Sequence, residues 1–147
     1  MGVSNTIQQL SVFLENREGR IKDVLEILAT NDINLVAISL ADTSEYGLLR
    51  MIVSDPEKAR KVLKEKQLSA MLTDVICIRV PHAVGSLYKA MKELENAGVN
   101  VEYMYAFANG VDAAAVMKTG EPEIEVETMQ AKGFSVYSRD EAYHGTD

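Results

Sequence analysis

The sequence has few of the residues that build disulfides and zinc sites. It contains one cysteine, Cys77, and two histidines, so it can form no internal disulfide and lacks the ligands of a zinc site. A single unpaired cysteine is typical of proteins in a reducing compartment. Because Cys77 lies within the apolar run at residues 75–78, we expect it to be a small, buried, apolar residue.

Positive charge and long apolar segments are scarce as well. The chain carries 15 Lys and Arg against 22 Asp and Glu, a net charge of −7. This argues against nucleic acid as a partner, because a basic face must neutralise the phosphates, and equally against an anionic membrane surface. No apolar run approaches the roughly 18 residues of a transmembrane helix, and residues 1–6 lack the features of a secretory signal. We therefore expect a cytoplasmic protein.

What the sequence does contain is an internal repeat with a period of 66 residues and no gap. The identical pairs are Gly19 and Gly85, Leu28 and Leu94, Asn34 and Asn100, Met51 and Met117, Pro56 and Pro122, Glu57 and Glu123, Lys66 and Lys132, and Ser69 and Ser135. A period of this length is too long for a solenoid unit and suits a small α+β domain. We therefore predict a first domain over residues 1–72, a second over residues 75–147, and a linker at residues 73–74.

Each copy predicts the element order strand, helix, strand, strand, helix, strand, because apolar residues alternate in some segments and recur at helical spacing in others. The first copy predicts strands over residues 9–14, 34–41, 46–53 and 68–72, and helices over residues 20–30 and from Pro56. The second copy predicts strands over residues 75–80, 100–108, 111–118 and 134–138, and helices through Leu87 and Leu94 and over residues 121–132. Hairpin turns are expected at residues 42–45 and 109–110. The polar tail, residues 139–147, is expected to fray.

This element order predicts an α+β fold. In each copy a four-stranded antiparallel sheet carries two helices on one face, which is the ferredoxin-like arrangement. A domain of about 65 residues has a marginal core when it stands alone, so two copies would gain by packing together. Many unrelated functions use this fold, so the function has to be sought in individual sites.

The first candidate site is the turn between the opening strand and the first helix of each copy. It spans residues 15–20 in the first copy and residues 81–86 in the second, and both turns keep a glycine, Gly19 or Gly85. A glycine at the start of a helix lets a ligand approach the backbone, and the free N–H groups of the first turn attract a carboxylate or a phosphate. The alternative is a plain tight turn with solvated charges.

The second candidate site is the pair Asn34 and Asn100. Each stands where the chain leaves a helix and enters the next strand, at one end of the predicted sheet. An asparagine at such a position can cap the turn through its own side chain. It can also offer an amide to the amino and carboxylate groups of a ligand, and the residue type alone leaves both interpretations open.

These segments resemble ACT domains, which are small regulatory modules that bind amino acids. The resemblance rests on the loop at residues 16–19 and on the two helix ends at residues 31–34 and 97–100. The resemblance covers about residues 6–138, which contain two successive copies of the domain. It is nearest to the stand-alone tandem ACT proteins of bacteria, which have no catalytic domain. The family loop usually reads acidic, variable, Pro, Gly. Here Asn16 and His82 take the acidic position, Glu18 and Val84 take the Pro position, and both copies keep the glycine.

The resemblance implies a geometry for the site. Paired ACT domains lie side by side, often joined through their second strands into a continuous eight-stranded antiparallel sheet with the helices on one face. The effector then binds at the interface, between the loop of one domain and the start of the second strand of the other. The residues implied are Asn16, Arg17, Glu18, Gly19, Arg20, Ile21, Asn34 and Leu35 from the first copy, and His82, Ala83, Val84, Gly85, Ser86, Leu87, Asn100 and Val101 from the second.

The resemblance also implies the role of each group. Backbone amides that follow each glycine would hold the carboxylate of the ligand, and the Asn34 and Asn100 amides or neighbouring carbonyls would hold its ammonium group. Arg17 or Glu18 in one site, and His82 in the other, would tune the preference for a side chain. Because the copies agree in their scaffold and differ in their loops, we expect two related sites of unequal affinity.

The favoured interpretation is therefore a non-catalytic regulatory or sensor protein that binds a free amino acid. We expect no catalytic residues, no cofactor and no metal. As partners we expect a second copy in a homodimer and an enzyme that the protein would regulate. A different class, an acylphosphatase-like enzyme, shares the strand order, and Arg17 with Asn34 loosely imitates its site. Neither loop has the run of backbone amides that such a site needs.

Two further alternatives use the aromatic residues of the second copy. An RNA-binding module would stack bases on Tyr103 and Tyr105, which are two residues apart and so lie on one face of a strand. The first copy has Ala37 and Ser39 at the equivalent positions, and the net charge has the wrong sign. An adaptor that dimerises without a small ligand would use Tyr103, Tyr105 and Phe107 as an apolar patch.

Overall fold

The computed structural model describes residues 5–15, 17–42 and 45–144, and these form seven strands and five helices. In chain order the elements are β1 (Ile7–Glu15), α1 (Arg20–Thr30), β2 (Leu35–Asp42), β3 (Tyr46–Val53), α2 (Pro56–Glu65), β4 (Ser69–Pro81), α3 (Ser86–Asn96), β5 (Val101–Asn109), β6 (Asp112–Thr119), α4 (Pro122–Ala131), β7 (Ser135–Val136) and α5 (Arg139–His144). None of the helices in the described part has the length and apolarity that crossing a membrane requires.

The chain divides into two compact units. The N-terminal unit contains Gln8–Thr73 together with residues 143 and 144, and the C-terminal unit contains Asp74–Ala142 together with residues 5–7. Strand β4 crosses the boundary, so its first residues belong to the N-terminal unit and the remainder to the C-terminal unit.

The N-terminal unit has the strand order β2-β3-β1, followed by β4, and β3 pairs antiparallel with both β1 and β2. Alternation along β1 sends Leu10, Val12 and Leu14 to one face, where they join Val24 and Leu28 of α1 and the buried residues of α2 in one core. This is the predicted arrangement, in which both helices cover a single face of the sheet.

The C-terminal unit repeats this arrangement with β5-β6-β4, and β7 pairs with the other side of β4 at Ile78 and Val136. Its core contains Ile76, Ile78 and Val80 of β4 together with Ala90 and Leu94 of α3. The expected helix over residues 121–132 is confirmed as α4, in which Val126 and Met129 are buried. The α+β class and the repeated element order are therefore confirmed.

The structure differs from the prediction of eight strands, because the described residues form seven. The predicted fourth strand of the first copy and the predicted first strand of the second copy are one continuous strand, β4. Residues 73–74, the predicted linker, lie inside it. The physical reason is local: this segment has no glycine, and its proline, Pro81, is the last residue, so nothing interrupts the extended backbone at Thr73 and Asp74.

The prediction of a frayed tail is wrong for residues 139–144, which form helix α5. Ser138 Oγ accepts a hydrogen bond from Glu141 N (3.2 Å), and Glu141 Oε1 accepts one from Ser138 N (3.0 Å), so the two residues form a capping box. Ala142 is buried, and Arg139 Nε donates to the Thr6 carbonyl oxygen (3.0 Å). Residues 145–147 and two residues of the predicted 42–45 turn lie outside the described part.

Candidate functional site

The two loop glycines have the same backbone conformation. Gly19 precedes α1 with φ 83° and ψ −9°, and Gly85 precedes α3 with φ 83° and ψ −3°. This left-handed region is open to glycine and costly for residues with a Cβ atom. The repeat in the sequence is therefore also a repeat of the turn that starts the first helix of each unit.

Gly19 and Gly85 have no side chain that could accept a hydrogen bond from the N–H groups in the first turn of α1 or α3. By contrast α2 begins at Asp55, whose carboxylate accepts a hydrogen bond from Lys58 N (3.2 Å). The space beside Gly19 and Gly85 is open, because an added Cβ atom would meet no atom within 4 Å. Both helix starts can therefore present N–H groups to an anion.

The two asparagines lie at the start of β2 and β5 and are exposed. The backbone of Asn34 is tied to Ser54: Asn34 N donates to Ser54 Oγ (2.8 Å), and Ser54 N donates to the Asn34 carbonyl oxygen (2.9 Å). The end of α1 is capped by a different residue, Asn31, whose Nδ2 donates to the Ile27 carbonyl oxygen (2.8 Å). In the second copy Gly120 stands at the position of Ser54 and brings no hydroxyl group.

Within one unit the loop and the asparagine lie at opposite ends of the sheet. In the N-terminal unit the loop follows Glu15, which pairs with Tyr46, whereas Asn34 precedes Leu35, which pairs with Val53. Residues 46 and 53 of β3 are separated by about 23 Å at the rise of a β-strand. The C-terminal unit has the same registers, with Pro81 opposite Asp112 and Val101 opposite Thr119. A site that uses a loop and an asparagine therefore requires two domains.

The C-terminal unit has cavities at both of these positions, on the side formed by α3 and β5. The loop cavity has a volume of about 280 Å³ and is lined by Val80, Pro81, His82, Ala83, Leu87, Ala106, Phe107, Ala108 and Ala113. The strand cavity has a volume of about 520 Å³ and is lined by Tyr88, Met91, Lys92, Glu95, Gly98, Val99, Asn100 and Val101. Five of the eight predicted residues of the second copy thus fall into two sets, with His82, Ala83 and Leu87 at the loop cavity and Asn100 and Val101 at the strand cavity.

The other predicted residues are distributed around the loops. Ser86 borders a third cavity of about 310 Å³ with Arg79, Lys89 and Asp112, and Val84 is exposed. In the N-terminal unit Arg17 and Glu18 are exposed, and Arg17 lies 3.8 Å from the Glu15 carboxylate. Arg20 Nη2 is held by Asp23 Oδ2 at 2.7 Å. Ile21 and Leu35 are partly accessible, and Asn16 lies outside the described residues.

Sequence reasoning missed the residues that complete the two cavities. Tyr88, Met91 and Glu95 occupy one side of α3 at helical spacing, beside the core stripe, and Ala106 and Ala108 alternate along β5. Periodicity assigns residues to a face of an element but does not say which element lies next to it. One signal in the sequence could have pointed to the loop cavity: Ala106 of the second copy stands where the first copy has the larger Leu40.

The ionisable side chains at these cavities are His82 at the loop cavity and Tyr88, Lys92 and Glu95 at the strand cavity. Cys77 is 2% exposed, and burial raises the pKa of its thiol to about 12, so the reactive thiolate is suppressed. The expected burial of Cys77 is confirmed. In the described parts of the chain no three His, Cys, Asp or Glu side chains are arranged to hold a metal ion.

Comparisons with known proteins concern the fold of the chain. A family model described as an ACT domain pair matches residues 5–142. The crystal structure of protein BT0572 from Bacteroides thetaiotaomicron has a TM-score of 0.92 and 39% sequence identity, over 96% of this chain and 99% of that chain. The ligand-free regulatory subunit of aspartate kinase from Thermus thermophilus shares the fold, with a TM-score of 0.64 and 15% identity over 86% of this chain and 92% of that one. Among curated proteins no significant match was found.

Proposed function

Because the chain belongs to the ACT domain family, as a pair of ACT domains, we propose that it is a non-catalytic regulatory protein that binds a free amino acid between two ACT domains. The observation that carries the proposal is the position of the two cavities of the C-terminal unit. The loop cavity and the strand cavity lie on the same α3–β5 side, at opposite ends. Each contains residues that the family resemblance implies as ligand contacts.

The missing half of each site would come from a second copy of the chain. Strand β5 is the outermost strand in the order β5-β6-β4, so its outer edge offers backbone groups for pairing. If the β5 edges of two copies pair antiparallel about a twofold axis, the loop cavity of one copy faces the strand cavity of the other. Such a homodimer would contain two equivalent sites, each built from both chains.

The chemistry of the two cavities suits the two ends of an amino acid. The N–H groups at the start of α3, behind Gly85, would hold the carboxylate, because they are not capped by a side chain. On the other side the carboxylate of Glu95 and the amide of Asn100 line the strand cavity and would hold the ammonium group. The carboxylate of the ligand would thus meet the partial positive charge of the helix start, and its ammonium group would meet Glu95, with Lys92 in the same cavity.

A ligand held in this way would act as a regulator. It would bind a paired arrangement of the domains more tightly than an unpaired one, and this difference in affinity is what shifts an equilibrium between states. The enzyme or other protein that reads the shift would contact the paired form. We propose that this happens in the cytoplasm, in keeping with the single cysteine.

The test is calorimetry of the full chain against the individual proteinogenic amino acids, together with native mass spectrometry. We expect at least one amino acid to bind and to increase the dimer population. Gly85→Ala and Asn100→Ala should each weaken binding. Asn96→Ala, which changes an exposed asparagine of α3 outside the strand cavity, should not. If no amino acid binds and the protein is dimeric, the proposal is wrong and the adaptor function is favoured.

A further inference from the structure

Among the residues that line the loop cavity, position 106 carries a short side chain where the N-terminal unit has a long one. Subtracting the period of 66 residues, Ala106 of β5 corresponds to Leu40 of β2, and Ala113 of β6 corresponds to Gly47 of β3. We infer that the loop cavity of the C-terminal unit receives an aliphatic side chain of the effector, and that residue 106 decides this. The inference rests on the proposed function, because it names the class of amino acid that the site takes.

The loop cavity is apolar. Four of its nine lining residues are alanines, four others are Val80, Pro81, Leu87 and Phe107, and only His82 has a polar side chain. A charged or amide side chain placed here would lose its hydration and would find few partners, which is unfavourable. An aliphatic side chain would instead remove apolar surface from water on both sides of the contact.

The loop cavity is small and open to solvent, and it has room for an aliphatic side chain. At about 280 Å³ it lies just below the range of roughly 300–1,000 Å³ that is usual for whole small-molecule ligands. The cavity is formed because Ala106, Ala108 and Ala113 have short side chains on neighbouring strands, with Ala106 opposite Ala115 and Ala108 opposite Ala113. Leu87, at the start of α3, bounds the cavity on the helix side.

In the N-terminal unit a leucine, Leu40, lies at the corresponding position, where its side chain is 50% exposed. Leu40 pairs with Leu49, a core residue, so its side chain lies on the helix side of the sheet. Its Cδ1 atom lies only 3.3 Å from the position that a Cβ atom would take at Gly47. Gly47 is buried, and the absence of its side chain is what leaves room for Leu40. In addition Arg17 replaces Ala83, so the opening carries a charge.

The two ACT domains are therefore not equivalent as receptors for a side chain. The C-terminal domain has an apolar depression next to its helix start, and at the same position the N-terminal domain carries the larger, half-exposed side chain of Leu40. We expect leucine, isoleucine, valine and methionine to bind in the C-terminal domain more tightly than glycine, aspartate or lysine. All nine lining residues of the loop cavity differ between the copies. We attribute the difference in side-chain preference chiefly to position 106, and not to the loop glycine that both domains share.

The experiment exchanges the residue between the domains. Ala106→Leu places the residue of the first copy in the loop cavity, and Ala106 is exposed, so the change should not prevent folding. We expect the affinity for L-leucine to fall roughly tenfold or more, as one misplaced group does in a hydrophobic pocket. The reciprocal change Leu40→Ala is the matched control and should leave the affinity of the C-terminal site for L-leucine unchanged. Ala108→Val provides a smaller obstruction and should weaken binding less.

The outcomes separate this inference from the proposed function. If the wild-type protein binds an amino acid but Ala106→Leu binds L-leucine as tightly as the wild type does, position 106 does not select the ligand and the inference is overturned. The same conclusion follows if an acidic or basic amino acid binds most tightly. If the wild-type protein binds no amino acid at all, the proposed function itself fails. A loss of L-leucine binding in Ala106→Leu, with binding retained in Leu40→Ala, supports both the proposed function and the inference about position 106.

Discussion

Gly19 and Gly85 adopt the same left-handed backbone conformation, with φ 83° in both, at the residue that precedes the first helix of each unit. The relationship matters because the two loops share little else: the first carries Arg17 and Glu18 where the second carries Ala83 and Val84. The geometry of the turn is thus kept by one residue type, while the surrounding side chains differ between the copies.

Replacement of either loop glycine by alanine should reduce stability through the backbone alone. No atom lies within 4 Å of the position of the added Cβ, so the cost is that of placing an alanine at positive φ, about 1–2 kcal/mol. We expect Gly19→Ala and Gly85→Ala to lower the free energy of unfolding in urea by this amount. Gly120→Ala is the control, because its φ is not positive and its Cβ would lie in ordinary contact, 3.8 Å from Glu102 Oε2. Equal effects at all three positions would contradict the backbone explanation.

The buried carboxyl group of Glu125 should make stability depend on pH. Glu125 of α4 is 0% exposed, its Oε1 atom accepts a hydrogen bond from Thr119 Oγ1 (3.2 Å), and Oε2 has no partner among the described residues. Burial raises the pKa of this carboxyl to about 7, against 4.5 for an unperturbed glutamate. The folded state therefore holds the proton more strongly than the unfolded state does, and stability falls as the pH rises between these two values.

The size of this effect follows from the difference between the two pKa values. The free energy of unfolding falls by about 3 kcal/mol in total once the pH exceeds the pKa of Glu125 in the folded protein. Glu125→Gln should abolish this loss, so the variant should be more stable than the wild type at about pH 8 and similar to it at about pH 4. Thermal unfolding across this range measures the effect, with Glu123→Gln on the exposed side of α4 as the control. A wild-type stability that rises with pH over this interval would show that Glu125 is ionised in the folded state.

The capping box at the start of α5 should contribute to the stability of the C-terminal helix. Ser138→Ala removes the side chain that accepts the hydrogen bond from Glu141 N. We expect a loss of about 1 kcal/mol, and faster amide hydrogen exchange in α5. Ser138→Thr keeps the hydroxyl group and should behave like the wild type. Unchanged exchange in Ser138→Ala would show that the helix does not depend on this cap.

The thiol of Cys77 should be unreactive while the protein is folded. It is buried on β4, and its raised pKa leaves very little thiolate at neutral pH. We expect iodoacetamide at about pH 8 to leave the native protein unmodified and to alkylate it fully in urea, as measured by intact mass spectrometry. Alkylation of the native protein at the rate of the unfolded chain would show that β4 opens readily.

The local parts of the fold could be predicted because local chemistry decides them. The bounds of α1, the proline that opens α2 and the glycine before α3 follow from periodicity and from backbone preferences within a few residues. Helix α5 was missed although Ser138 and Glu141 have the spacing of a capping box. Its six residues are too few for an apolar stripe, and it depends on contacts such as the hydrogen bond from Gln8 N to Tyr143 Oη (2.7 Å).

The candidate site could be predicted only in part, for a related reason. The sequence by itself determined the repeat, the two glycine turns and the asparagines at the start of β2 and β5, since each is a short segment with its own conformational preference. The tertiary structure decided that Ala106 and Leu87 border one cavity with the loop, and that Leu40 lies against Gly47 at the equivalent position. Volume is set by side chains on different strands and helices, and no pattern within one element carries that information.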